Sequence, residues 1–236
     1  MKELVALAKL TGGPGSLRLL MLLAAMVLIW GGISRRHRRD AARLLGLLGL
    51  SYLIMATPLV ARLVAGALPP APPATDAEIG RIHILFVYDG DNRLGRLREV
   101  QRVSDVAQPA RIVLLGRLSV YKDLLLMPIP RGRLLHDDRS WNTSTQVQRT
   151  RDLLGSESPT GAAVLASCLQ APRVRLLLVA AGLDMPVIAA PLDSPLPAMG
   201  IRRFLPSRAA LAVTRDAIYE LAALAYYRVV GHFTPA

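Results

Sequence analysis

The sequence predicts an α/β protein, with a mostly parallel sheet carrying helices on both faces, preceded by a two-helix transmembrane hairpin. Three observations predict it. Two strongly apolar stretches lie within residues 17–68, separated by Ser34-Arg35-Arg36-His37-Arg38-Arg39-Asp40-Ala41-Ala42-Arg43. A proline-rich run, Pro69-Pro70-Ala71-Pro72-Pro73, follows them. From Asp76 onward, short apolar strands alternate with amphipathic helices, the pattern of a parallel sheet covered on both sides.

The hairpin comes first. Hydrocarbon offers a bare backbone no hydrogen-bond partner, so a long apolar run is best satisfied as a helix crossing the bilayer. The spans are expected at about residues 17–34 and 44–68, with Pro58 in the outer third of the second and Arg62 able to snorkel. The five arginines between them are costly to translocate and stay in the cytoplasm. Both ends of the hairpin then point outward. The expected location is the bacterial inner membrane, multi-pass, with N- and C-termini periplasmic and the lipid bilayer as first partner. Met1–Ser16 reads as a short leader, broken by Gly12-Gly13-Pro14-Gly15. An uncleaved span is preferred to a signal peptide, because no small-x-small site precedes the arginines and a second apolar run follows.

Composition agrees. Of 236 residues, 52% are hydrophobic and 19% charged, apolar for a wholly soluble protein and normal for one partly in a membrane. The net charge is +12. Residues 1–75 hold nine Lys/Arg against two acids, so membrane topology and anionic headgroups account for over half the excess. Nucleic acid is not an expected partner, since aromatics are 5% and no basic-aromatic stacking platform is visible. A single cysteine, Cys168, excludes an intrachain disulfide. His37, His83, His136 and His232 lack metal-ligand spacing, so no metal or cofactor is expected.

Residues 69–75 read as a stiff linker near polyproline II, and 76–236 as the α/β domain. Ile82–Tyr88 and Arg111–Leu115 are buried strands by their apolar runs. Arg93–Ala107 shows helical spacing at Leu94, Leu97, Val100, Val103 and Val106. Leu118–Met127 is a short helix and Arg133–Leu135 a short strand. Thr143–Leu154 is a polar helix carrying Val147, Leu153 and Leu154. Ala162–Ser167 is a strand. Pro172–Ala181 is a helix with proline in its first turn and Gly182 beyond its end. Pro186–Ala190 is a strand, and Ser207–Val230 a long helix with Ser207 as N-cap.

Ligands of such sheets bind outside the carboxyl ends of the strands. The turns to inspect are Asp89–Asn92, Gly116–Ser119, Asp137–Thr143 and Ser167–Arg173. Ser140-Trp141-Asn142-Thr143 offers hydroxyl and amide groups at a helix start, where an anion meets free N–H groups and the positive end of the helix dipole; the same residues are the usual N-caps. Arg173 stands at another helix start, either as a bidentate phosphate contact or as a solvated surface arginine. Asp137-Asp138 suit a divalent cation or an Asx turn. Cys168 reads as an inert buried thiol. Glu220 lies on an apolar helix, facing water or a partner such as Arg215 or Arg173.

These turns resemble those of the YdcF/ElyC/SanA-like family of bacterial envelope proteins. Asp137-Asp138-Arg139-Ser140-Trp141-Asn142-Thr143 is similar to that family's acid-x-x-Ser-x-Asn-Thr stretch. Val164 to Arg173 is similar to its strand followed by Thr-Ser-x-x-His-x-x-Arg. Ala217-Ile218-Tyr219-Glu220, with Tyr226 to Gly231, is similar to its C-terminal helix, and the two-span anchor resembles the ElyC branch. The resemblance implies a Rossmann-like fold and a role in cell envelope biogenesis, of peptidoglycan or lipid carrier, by binding a phosphate-bearing or lipid-linked precursor. The ligand contacts it implies are Ser140, Asn142, Thr143, Ser167 and Arg173, with Asp89 and Asp137 as further candidates; it assigns no catalytic residue. The pattern departs from the family at Asp89-Gly90-Asp91, Gly116-Arg117, Thr145-Gln146 and Gln170, the last replacing the motif histidine. A glutamine is no general acid or base near neutral pH, so the alternative is a non-catalytic interaction protein using a degenerate site. A third reading comes from Phe86 to Asp91, which looks like the Asp-x-Asp nucleophile strand of haloacid-dehalogenase-type phosphatases. Arg93 stands where those enzymes carry a hydroxyl, and Lys122, the domain's only lysine, lacks their context.

Overall fold

A computed structural model describes residues 17–33, 37–71, 73–90, 92–140, 142–155 and 159–229. The expected leader Met1–Ser16, the arginines 35 and 36, Pro72, Asp91, Trp141 and residues 230–231 lie outside the described residues. The chain divides into two compact units, Met1–Leu68 with Ser194–Ala222, and Pro69–Asp193 with Ala223–Ala236.

The second unit is built on a five-stranded, all-parallel sheet in the order β3-β2-β1-β4-β5. Its strands are β1 (Ile84–Tyr88), β2 (Arg111–Leu115), β3 (Leu134–Asp137), β4 (Ala162–Ser167) and β5 (Val187–Ala190). Phe86 pairs in register with Val113 on one side and Val164 on the other. Side chains alternate across a strand, so each strand feeds two cores. Phe86, Tyr88, Val113, Leu115, Val164 and Ala166 face Val147 and Leu154 of α7 (Thr143–Leu154) and Val174 and Leu178 of α8 (Ala171–Ala180). Leu85, Val87, Ile112, Leu114 and Leu165 face Val100 and Val103 of α5 (Arg93–Ala107) and Val120 and Leu124 of α6 (Leu118–Leu124). Burial of each large apolar side chain contributes about 1.5–3 kcal/mol, which is why the strands read as unbroken apolar runs. The fold is thus Rossmann-like α/β with helices on both faces.

Element bounds shift slightly from expectation. β1 begins at Ile84, β3 occupies Leu134–Asp137, α6 stops at Leu124, and α8 starts at Ala171. A short helix missed in the sequence, α4 (Asp76–Ile79), has a full capping box: Glu78 N donates to Thr75 Oγ1 and Thr75 N to Glu78 Oε2. The Thr-x-x-Glu signature was there to read.

In the first unit, α1 (Leu17–Ile33) and α2 (Arg38–Met55) pack together, with the Trp30 and His37 rings stacked at 4.7 Å. The expected second span, 44–68, is not one helix. The structure begins it at Arg38 and breaks it after Met55; α3 (Pro58–Gly66) leaves at 70°. Pro58 has no N–H to donate to Ile54 O. Instead the Thr57 N–H and Oγ1 take that carbonyl at 3.0 and 2.8 Å, and Thr57 Oγ1 also accepts from Val60 N to start α3. Beyond the break, Ser207 N donates to Ala56 O and Thr214 Oγ1 to Met55 O, both at 2.8 Å. No helix among the described residues is by itself long and apolar enough to cross a membrane. The 17 residues of α1 rise about 26 Å at 1.5 Å each. The long helix α9 (Arg208–Val229) is capped by Ser207, whose Oγ accepts from Ala210 N at 3.1 Å.

One glycine fixes how α5 meets the strand-β5 turn. A Cβ on Gly95 would sit 1.8 Å from Pro191 O. Gly95→Ala is therefore expected to cost about 2 kcal/mol or more. Gly132→Ala, where nothing lies within 4 Å, should stay within about 0.5 kcal/mol. Denaturant unfolding of the full chain, followed by circular dichroism, checks both.

Candidate functional site

The carboxyl edge of the sheet gathers the polar groups. A strand buried on both faces has room for them only at its ends, and the strand order reverses direction between β1 and β4. Ligand crevices form at such reversals.

The turn after β1 begins with Asp89. Its Oδ2 accepts from Arg117 N at 3.2 Å and Arg117 Nε at 2.6 Å, and its Oδ1 accepts from Gly90 N at 2.7 Å and Arg117 Nη2 at 3.2 Å. Gly116 has φ +144°, and a Cβ there would fall 2.1 Å from Asp89 Cβ. Asp89 therefore fastens the end of β1 to the end of β2.

Asp137 plays the equivalent part after β3. Its Oδ1 accepts from Arg139 N at 2.9 Å, an Asx turn, and its Oδ2 accepts from Arg149 Nε at 3.0 Å and from Arg149 Nη2. Burial, the largest single influence, pushes its pKa up; the Arg149 hydrogen bonds, the Arg139 amide and the two guanidinium charges outweigh it, leaving the carboxyl below its ordinary value. Asn142 is the N-cap of α7: its Oδ1 accepts from Thr145 N at 2.8 Å, and its own N–H donates to Thr145 Oγ1 at 3.1 Å. The capping alternative is what the structure assigns to Asn142.

Thr143, the first residue of α7, is different. Its Oγ1 accepts from Gln170 Nε2 at 3.0 Å and from Arg173 Nη1 at 2.7 Å. Thr143, Gln170 and Arg173 are 4, 6 and 5% exposed. Ser167 Oγ accepts from Gln170 N at 3.2 Å, shaping the turn into α8. A second buried arginine joins from α5: Arg96, 1% exposed, donates through Nη2 to Gly90 O. A Cβ on Gly90 would lie 3.2 Å from Arg96 Nη1 and 3.3 Å from Gln170 Oε1, so Arg96, Gln170, Thr143 and Arg173 form one buried cluster. The buried Ser140 Oγ and Gln146 Oε1 have no hydrogen-bond partner among the described residues.

Of the residues expected to contact a ligand, the structure thus joins Thr143 and Arg173, sets Ser167 beside their partner Gln170, and ties Asp89 and Asp137 to arginines. Gln170 and Arg96 were missed as donors. Arg96 was legible: it stands four and seven residues before Val100 and Val103, on the buried face.

The cluster can hold a ligand by hydrogen bonds and charge. Cys168, beside it in sequence, has its thiol pKa raised by burial and stays protonated near neutrality, a poor nucleophile. Among the described residues, no three His, Cys, Asp or Glu side chains converge to hold a metal ion. Another helix start of this edge, that of α5, is filled by the chain itself: Gly95 N donates to Asp193 Oδ1 at 2.7 Å, and Asn92 Nδ2 to Pro191 O at 2.6 Å. In dinucleotide-binding folds a pyrophosphate takes that position; here a carboxylate does. The fold and cluster together define a Rossmann-like α/β protein with a buried, arginine-bearing edge. Comparison with protein families, curated proteins and solved structures gives no match to this chain.

The lowered pKa of Asp137 carries a pH dependence. The folded state favours the carboxylate, so its stabilisation is complete above the ordinary aspartate range and is lost as pH falls through the lower folded value. Asp137→Asn should cost about 1–3 kcal/mol at neutral pH, and the gap from the parent should close under acid. Thermal unfolding across an acid pH series measures this.

Proposed function

We propose that this chain is a membrane-anchored α/β protein that binds a phosphate-bearing or lipid-linked precursor of the bacterial cell envelope. The observation that carries this is the Thr143 hydroxyl shared by the buried Gln170 amide and Arg173 guanidinium at the start of α7. Backbone N–H groups, helix dipole and arginine all favour an anion there. Support comes also from the resemblance of these turns to the YdcF/ElyC/SanA-like family.

The membrane part of the proposal keeps the hairpin, with its arginine turn in the cytoplasm and the α/β domain on the periplasmic side. What supports it is the outer surface of α1 and α2. Met21, Met26, Ile29, Leu47, Leu50 and Leu53 are each more than half exposed, a surface suited to lipid rather than water. The bent pair α2 and α3 is long and apolar enough when the two helices are taken together, and the arginines flanking the apolar stretches can snorkel.

A specific observation favours a second reading, the non-catalytic interaction protein. Asp89 and Asp137 are both engaged by arginines, and Gln170 stands at the motif histidine.

Native mass spectrometry of the detergent-purified full chain separates the two. A bound phosphate-containing lipid or nucleotide is expected on the parent, and its occupancy should fall about tenfold in Arg173→Lys, which loses the planar fork, equivalent to about 1.4 kcal/mol. Thr143→Val should act alike. No adduct on the parent, with both variants folded and functional in cells, would select the interaction protein.

A further inference from the structure

Residues 194–208 (SPLPAMGIRRFLPSR) contain no acid and three arginines. Gly200, at φ +74°, turns the chain into a 3-10 turn, Ile201–Phe204, which packs against α3. The turn shows apolar side chains to the outside. Met199 is 85% exposed, Ile201 72%, Leu205 54% and Phe204 46%, and Leu63 of α3 adds another at 67%. Arg62, Arg202 and Arg203 are exposed among them, the Arg203 guanidinium lying 4.6 Å over the Phe204 ring. The neighbouring Ser207 N and Thr214 Oγ1 hold Ala56 O and Met55 O. This patch is therefore fixed at the end of α2 opposite Arg38, Arg39 and Arg43.

We infer that Met199, Ile201, Phe204, Leu205 and Leu63, ringed by Arg62, Arg202 and Arg203, form an interfacial foot that rests in the headgroup layer of an anionic lipid bilayer where α2 leaves it. Large apolar side chains exposed side by side mark a contact surface. The acid-free arginine ring selects negative headgroups, and long cationic side chains reach the phosphates while apolar neighbours sink to the acyl boundary. The patch shares its compact unit with the exposed apolar side chains Leu47, Leu50 and Leu53 of α2. A second copy of the chain fits less well, because a two-fold pairing would bring arginines against arginines with no acid between them. The inference rests on the membrane reading of α1 and α2 and is independent of the ligand cluster at Thr143.

The test uses the full chain with Cys168→Ser, in nanodiscs of phosphatidylcholine with phosphatidylglycerol or of phosphatidylcholine alone. A fluorophore is placed at Ile201→Cys or, as the hairpin reference, at Leu47→Cys, and is quenched by nitroxide lipids labelled near the headgroup or deep in the chain. Shallow quenching at position 201, deep quenching at position 47, and a drop of the shallow signal to its phosphatidylcholine level on Arg202→Gln with Arg203→Gln are expected. A water-exposed, unquenched probe at 201 beside a quenched probe at 47 overturns the foot and leaves the hairpin standing. A probe at 201 shielded by another copy or by an acidic protein, with no lipid quenching, overturns it too. No quenching at either position removes the membrane reading, and the foot with it.

Discussion

The hydroxyl of Thr143 receives hydrogen bonds from Gln170 and Arg173 across a gap of about thirty residues in the chain, and the arrangement of the carboxyl edge depends on it. A hydroxyl accepting from an amide and a guanidinium inside a protein fixes all three groups, because each would be costly to leave unsatisfied away from water. Arg96 Nη1 and Gln170 Oε1 both lie close to Gly90, so elements from both faces of the sheet bring polar groups to the point where the strand order reverses. The parallel sheet makes this necessary. Its strands bury apolar side chains on both faces, and polar groups gather where the strands end.

Two helix starts of the same edge are treated differently by the chain. Asp193 gives α5 its own permanent anion, while Asn142 caps α7 from the side and leaves Thr143 facing the arginine. Asp89 and Asp137 do structural work beside them, Asp89 held by Arg117 of the turn after β2 and Asp137 by Arg149 of α7. The proposed binding role then falls to neutral donors and guanidinium groups rather than to carboxylates.

Much of the fold was legible because the signals are local. Ile84–Tyr88 and Arg111–Leu115 are unbroken apolar runs, and the bounds of α5 and α7 follow from periodicity and from Asn142 as cap. The cap, the Asx turn at Asp137 and the Ser207 cap were readable for the same reason: each bond spans two or three residues. Harder to read were the contacts between distant residues. Nothing near Asp89 marks Arg117 as its partner among 29 Lys/Arg, and nothing near Gly95 announces Pro191 O. The break at Thr57-Pro58 misled for a different reason. Within a span a proline is tolerated if neighbours satisfy the freed carbonyl, and here the satisfying groups (Thr57 Oγ1, Ser207 N and Thr214 Oγ1) build a corner instead of preserving a rod.

Amide hydrogen exchange at the first turn of α7, in inorganic phosphate against chloride at equal ionic strength, addresses the ligand cluster most directly. Slower exchange is expected at Thr143 and Ser144 in phosphate, with the start of α5, already closed by Asp193, unchanged. Equal exchange at α7 in both salts, or protection appearing at α5 instead, would contradict anion binding at Thr143.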